Sequence, residues 1–116
     1  MGITYIEGTV SNNGDSRPVR FLIDSGATYT LLPKPVWQEL GLEAKRSVTL
    51  TLADGTQIER AVSECFLSLP QGEAHSPVIL GEEADEALLG VVTLEILGLV
   101  FNPFKRTLHP MRMLLG

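Results

Sequence analysis

The 116-residue chain is 44% apolar and 20% charged, with nine basic against fourteen acidic residues and a formal charge of −5. That length suits one domain and excludes two lobes with a cleft between them, unless a second copy supplies the other half. The shortage of clustered Lys and Arg excludes nucleic acid as a partner, and the apolar content excludes disorder.

Most segments read as strands. Ile3 to Val10 alternates weakly and runs into Ser11-Asn12-Asn13-Gly14-Asp15, a dense turn signal. Pro18 to Ile23 resumes with Val19, Phe21 and Ile23 on one parity, so a hairpin is predicted. Leu31 to Gly41 carries two prolines at its entrance and a glycine at its exit, the pattern of a short helix whose Trp37 and Leu40 face a core. From Ser47 to Val62 the residues Val48, Leu50 and Leu52 alternate with Thr49 and Thr51, and Asp54-Gly55 marks a hairpin turn. Further strands are expected at Ser63 to Leu69 and at Pro77 to Leu80. The acidic run from Glu82 to Glu86 reads as a solvated bend. Leu88-Leu89-Gly90 then opens an apolar region, with a short helix over Val91 to Leu97 closed by Gly98, and Leu99-Val100-Phe101 leads a terminal segment through Leu115. The expected class is all-β with one or two short helices, in a single domain over residues 1–116.

The one cysteine, Cys65, lies in an apolar run and reads as a small core side chain. The start, Met1-Gly2-Ile3-Thr4-Tyr5-Ile6, has neither a basic flank with an apolar stretch nor a hydroxyl at position 6 for myristoylation. The most apolar stretch, Ala87 to Phe101, is interrupted by Gly90, Thr93, Glu95 and Gly98 and is too short to span a bilayer. No membrane association and a cytoplasmic location are therefore expected.

Chemistry concentrates in Phe21-Leu22-Ile23-Asp24-Ser25-Gly26-Ala27-Thr28, where an apolar strand runs straight into an acid, a hydroxyl and a glycine. A carboxylate at the end of a core strand is costly unless it is hydrogen-bonded or has a task. Taken alone, the triplet also fits an ordinary Asx-type turn. No His-Glu-x-x-His, Cys-x-x-Cys or close histidine pair suggests a metal, and no glycine loop suggests a phosphate. Ser25 as a nucleophile lacks a motif-borne base, since His75 and His109 stand alone, and a two-acid glycosidase lacks a second acid in an apolar setting.

Four features in order resemble the retropepsin-like aspartic proteases, half-length relatives of pepsin that work as homodimers. Leu22 to Thr28, followed by Leu31-Leu32-Pro33, is similar to the apolar-apolar-Asp-Thr/Ser-Gly-Ala motif. The hairpin from Val48 to Val62 falls where the family has its flap, Val78-Ile79-Leu80-Gly81 resembles the strand before the closing segment, and Leu88-Leu89-Gly90 with Leu94 to Gly98 resembles the element and helix that end the fold. The resemblance implies a closed or partly open acid-protease barrel and a homodimer in which each chain gives one catalytic Asp24. It implies Ser25 and Gly26 as support for the active-site loop. Gly26, Ala27, Thr28, Ala53, Asp54, Gly55 and Thr56 would contact a peptide or protein substrate, and Leu88, Leu89 and Gly90 would back the site, with no cofactor or metal. A catalytically silent dimeric peptide-binding or scaffolding module with this fold is the alternative.

The sequence departs from the retroviral pattern at two coupled places. Thr28 stands where those proteins usually have Asp, and Val91 where they often have Arg, so a different brace is expected. In viral relatives both chain ends interleave into an intersubunit sheet, whereas Phe104 to Leu115, with Pro110, invites another pairing.

Overall fold

The computed structural model describes residues 3–112, 114 and 115, so the reading of Met1 and Gly2 lies outside the described residues, as does Met113 in the terminal segment. The first hairpin joins β1 (Tyr5–Asn12) to β2 (Asp15–Ile23). Asn13 and Gly14 turn it with φ of 50° and 87°, the left-handed pair that matches strand twist in a two-residue turn. There follow β3 (Thr30–Leu32), α1 (Lys34–Glu39), β4 (Arg46–Thr51), β5 (Gln57–Leu69), β6 (Gly72–Leu80), β7 (Leu88–Leu89), α2 (Val91–Ile96), β8 (Leu99–Asn102) and β9 (Thr107–Pro110).

The first seven strands form one sheet in the order β1-β2-β7-β3-β6-β5-β4. Thr9 to Ser11 of β1 also pair with Phe66 to Ser68 of β5, so six strands close into a barrel and β4 stands outside it. Phe21, Leu32, Leu67, Val78, Val10 and Leu89 fill the interior and are fully buried. α1 lies over one end, entered through Pro33 and Pro35, where missing N–H groups cost little. Trp37 packs against the core as expected, and its indole N–H donates to the Gly81 carbonyl at 2.9 Å. Among the described residues no helix is long and apolar enough to cross a membrane.

Three boundaries differ from the sequence reading. The expected break between Val62 and Ser63 is absent. β5 runs unbroken because β6 pairs with Val62 to Leu69 while β4 pairs with Gln57 to Val62. Val62 and Ser63 are both buried, so alternation fails where the strand passes from hairpin to barrel. β6 starts at Gly72 rather than Pro77, since the polar run Gly72 to Ser76 takes its strand geometry from the facing residues of β5. The terminal segment forms a separate two-stranded sheet of β8 and β9. Its loop is held by the Asn102 side chain, which accepts the N–H groups of Phe104 and Lys105 at 3.0 and 3.1 Å.

Cys65 is 3% exposed, and burial, with a smaller push from neighbouring Glu64, raises its thiol to about 12. The folded protein should therefore resist thiol reagents at pH 8 and react with one equivalent only after denaturation. Rapid labelling of the native chain would contradict this packing.

Candidate active site

β2 ends where its parallel pairing with β7 ends. Leu22 and Ile23 lie opposite Leu88 and Leu89, and the Asp24 N–H makes a last bond to the Leu89 carbonyl at 3.2 Å. The chain then turns over Asp24-Ser25-Gly26-Ala27, closed by the Ala27 N–H on the Asp24 carbonyl at 3.0 Å. The Gly26 N–H donates to Asp24 Oδ1 at 2.9 Å, while Oδ2 has no hydrogen-bond partner among the described residues. Asp24 is half-buried, and Ser25, Gly26 and Thr28 are exposed around it. The result is a carboxylate held by one side and open on the other.

The loop is fixed from below without any charge. Val91 and Val92, whose N–H groups lack partners at the start of α2, donate to the carbonyls of Ala27 and Thr28 at 2.9 Å each. Gly90 makes this approach possible, because a Cβ there would stand 2.4 Å from the Tyr29 carbonyl carbon. The Gly90 N–H donates to Thr30 Oγ1 at 3.0 Å, Thr30 and Thr93 hydroxyls meet at 2.6 Å, and Thr93 meets Ser76 at 2.8 Å. Ser76 donates onward to the Pro77 carbonyl at 3.1 Å. Each hydroxyl has one proton, so the chain runs in one direction: Gly90 to Thr30, Thr93, Ser76 and Pro77. Thr30, Thr93 and Ser76 are at most 2% exposed. This brace contains no charged group.

A groove of ≈ 510 Å³ lies between this loop and the β4–β5 hairpin. Gly26, Ala27, Thr28 and Tyr29 line one side, Thr49 to Leu52 the other, and Leu31, Ile79 and Leu88 its apolar wall, with no charged side chain in the lining. The hairpin tip, expected to contact substrate, does not line it. Ala53, Asp54, Gly55 and Thr56 form an exposed turn in which the Leu52 N–H donates to the Thr56 carbonyl at 2.7 Å and the Thr56 N–H to Asp54 Oδ1 at 2.9 Å. Gly55, at φ 89°, accepts a conformation other residues resist. Ser25 faces a different, apolar pocket of ≈ 170 Å³ shared with α2 and β8. Leu88 and Leu89 separate β2 from β3, with Leu89 fully buried.

Sequence reasoning missed Tyr29, Thr49 to Leu52 and the hydroxyl chain. The one available signal was a hydroxyl inside an apolar run, at Thr30-Leu31-Leu32 and at Val91-Val92-Thr93-Leu94. Neither histidine hydrogen-bonds Ser25: His109 pairs with Thr107 Oγ1 at 2.8 Å, and His75 sits edge-on to Phe66. Among the described residues no three His, Cys, Asp or Glu side chains are grouped to hold a metal ion.

Replacing Thr93 by Val leaves the Thr30 hydroxyl proton without an acceptor and the Ser76 oxygen without a donor in the interior, and should cost about 1–3 kcal/mol by urea denaturation. Wild-type stability would remove the chain as a brace. The Asp54 carboxyl is held below its ordinary value of 3.8, chiefly by the Thr56 N–H. A depressed value favours the folded turn at higher pH. Its contribution is therefore complete above that ordinary value and is lost as pH falls through the lower folded one. The Thr56 amide resonance should move in that acid range, and an amide insensitive to pH there would contradict the bond.

Three comparisons bear on this geometry. The sequence model described as "gag-polyprotein putative aspartyl protease" matches residues 8–95, most of the chain. No curated protein matches it. The fold is similar to that of EIAV protease, solved in complex with the inhibitor HBY-793, with a TM-score of 0.63 and 14% identity over 98% of this chain and 94% of that one. With the family model matched over most of the chain and this likeness of fold, the chain belongs to the gag-polyprotein aspartyl protease family and has the retropepsin-like fold.

Proposed function

We propose that residues 1–116 act as one aspartic endopeptidase domain that works as a homodimer, with Asp24 of each chain facing its twin across a twofold axis. One observation carries the reading: Asp24 is fixed through Oδ1 by the Gly26 N–H, leaves Oδ2 open, and is the single acid on a loop that borders an uncharged groove. A lone carboxylate cannot serve as acid and base in the same step, so the chain supplies half of the machinery.

At about 3 Å and an effective dielectric near 20, two ionised carboxylates repel by roughly 5 kcal/mol, or about four pKa units. The pair therefore holds one shared proton over a wide pH range. The ionised member takes a proton from a water molecule, whose oxygen attacks the peptide carbonyl carbon. The protonated member gives its proton to the carbonyl oxygen, forming a neutral tetrahedral diol. One carboxyl then protonates the amide nitrogen as the C–N bond breaks, the diol proton returns to the dyad, and acid and amine products leave. Water is consumed and neither carboxylate is altered.

The remaining residues take positioning roles. The Ser25 hydroxyl spans the axis to lock the two loops, and the Gly26 carbonyl holds the substrate main chain. Ala27 and Thr28 border the subsites at the scissile bond, where uncharged walls suit uncharged side chains. The hairpin is the flap, and its tip, Ala53 to Thr56, moves over an extended peptide laid between flap and floor. Leu88, Leu89 and Gly90 keep the loop in place.

Asp24→Asn should reduce cleavage of a peptide library to background while circular dichroism and urea stability stay at wild-type values. Retained cleavage by the folded variant would refute the assignment of Asp24.

A further inference from the structure

β5 changes neighbours along one flank. β4 pairs with it as far as Val62, and β1 takes over at Phe66, opposite Ser11, so Ser63, Glu64 and Cys65 have no strand on that side. Main-chain groups alternate flanks along a strand. The Val62 carbonyl accepts the Lys45 N–H at 2.8 Å on the β4 side, so the N–H and carbonyl of Glu64 point into the gap as well. Pro77, opposite Glu64 on β6, has no N–H to offer from the other flank. A polar notch of ≈ 260 Å³ opens there, with Asn12, Lys45, Ser63 and Glu64 in its wall, and a second of ≈ 400 Å³ adjoins it through Asn12, Lys45 and Glu64. Ser63 is 3% exposed, and among the described residues its hydroxyl has no hydrogen-bond partner. Buried hydroxyls without partners are rare, because each costs its lost hydration. These residues are distinct from those lining the groove at Asp24.

We propose that the notch is a binding site for a primary carboxamide, the group carried by Gln and Asn side chains. Glu64 offers one donor and one acceptor on the same side of an extended residue. A primary carboxamide has an N–H syn to its carbonyl, so it closes both bonds at once. Its second N–H then has the Ser63 hydroxyl oxygen as acceptor. Other chemistries leave a group unmet. A trans peptide unit points its N–H and carbonyl in opposite directions and makes one of the two bonds. A whole strand does not fit, since Val62 and Phe66 are about 14 Å apart along β5 and Lys45 and Ser11 fill the two ends. An anion would face the Glu64 carbonyl, and Lys45 in the wall is already paired with the Glu64 carboxylate at 3.3 Å. A cation would leave the Glu64 N–H unmet. The carboxamide of Asn12 is itself engaged, donating to the Leu40 carbonyl at 2.7 Å. The site stands independently of the peptidase reading above.

Amide NMR of the full chain tests it. Titration with acetyl-Gly-Gln-Gly-methylamide, whose one primary carboxamide is on the Gln side chain, should shift the Glu64 amide resonance saturably. The same peptide with Glu in place of Gln should not. Ser63→Ala, which removes an unpartnered hydroxyl, should keep wild-type urea stability and bind the Gln peptide several-fold more weakly. Free L-glutamine separates the two sources of the group: a matching shift assigns the site to a small free amide, and a shift with the peptide alone assigns it to a side chain of a partner polypeptide. A Glu64 amide unresponsive to both probes, an equal response to the Glu peptide, or wild-type binding by Ser63→Ala would overturn the assignment. Loss of stability in Ser63→Ala would show that the hydroxyl is partnered within the fold, and would overturn it too.

Discussion

β7 contributes two residues to the sheet, yet the position of Asp24 depends on them. Leu88 and Leu89 run parallel to the end of β2, and Leu88 lies antiparallel to Leu31 of β3, so the two strands are held apart by a wedge. The wedge takes the Asp24 N–H, and Gly90 immediately after it lets α2 approach the loop closely enough to bond Ala27 and Thr28. Strand, wedge and helix start thus act as one unit, and a shift in any of them moves the carboxylate. Burying three hydroxyls beneath this unit would be costly unless each were bonded, and the chain from Gly90 to Pro77 bonds all of them.

A brace built from main-chain groups and hydroxyls has no group that titrates in the range where proteins work. The floor of the site therefore keeps its geometry as pH changes. The hairpin opposite is different. Its turn depends partly on the Asp54 carboxylate, so in acid the roof of the groove loosens before the floor does.

How far the sequence discloses this depends on whether a signal is local. Asn13-Gly14 and Asp54-Gly55 were legible as turns because positive φ at those glycines is a local demand, and the structure has it at both. Asp24 was legible because an apolar strand ending in an acid conflicts with burial unless the acid has a partner or a task. The unbroken β5 was not legible. Ser63 looks like an interruption, whereas it is buried beside Val62 where both faces of the strand are covered. The polar half of β6 exists as strand because β5 lies beside it, and no residue in Gly72 to Ser76 announces that. The hydroxyl chain joins residues 17 to 63 positions apart, a relation only the folded chain creates.

In the proposed mechanism each polypeptide holds half of a catalytic site. This is tested most directly by mixing wild-type protein with increasing amounts of Asp24→Asn protein, allowing subunits to exchange, and measuring peptide cleavage per wild-type chain. If two carboxylates from separate chains are required, that rate should fall in proportion to the wild-type fraction and approach zero at high excess. A rate per wild-type chain that stays constant across the series would show that one copy of Asp24 suffices, and would contradict the account.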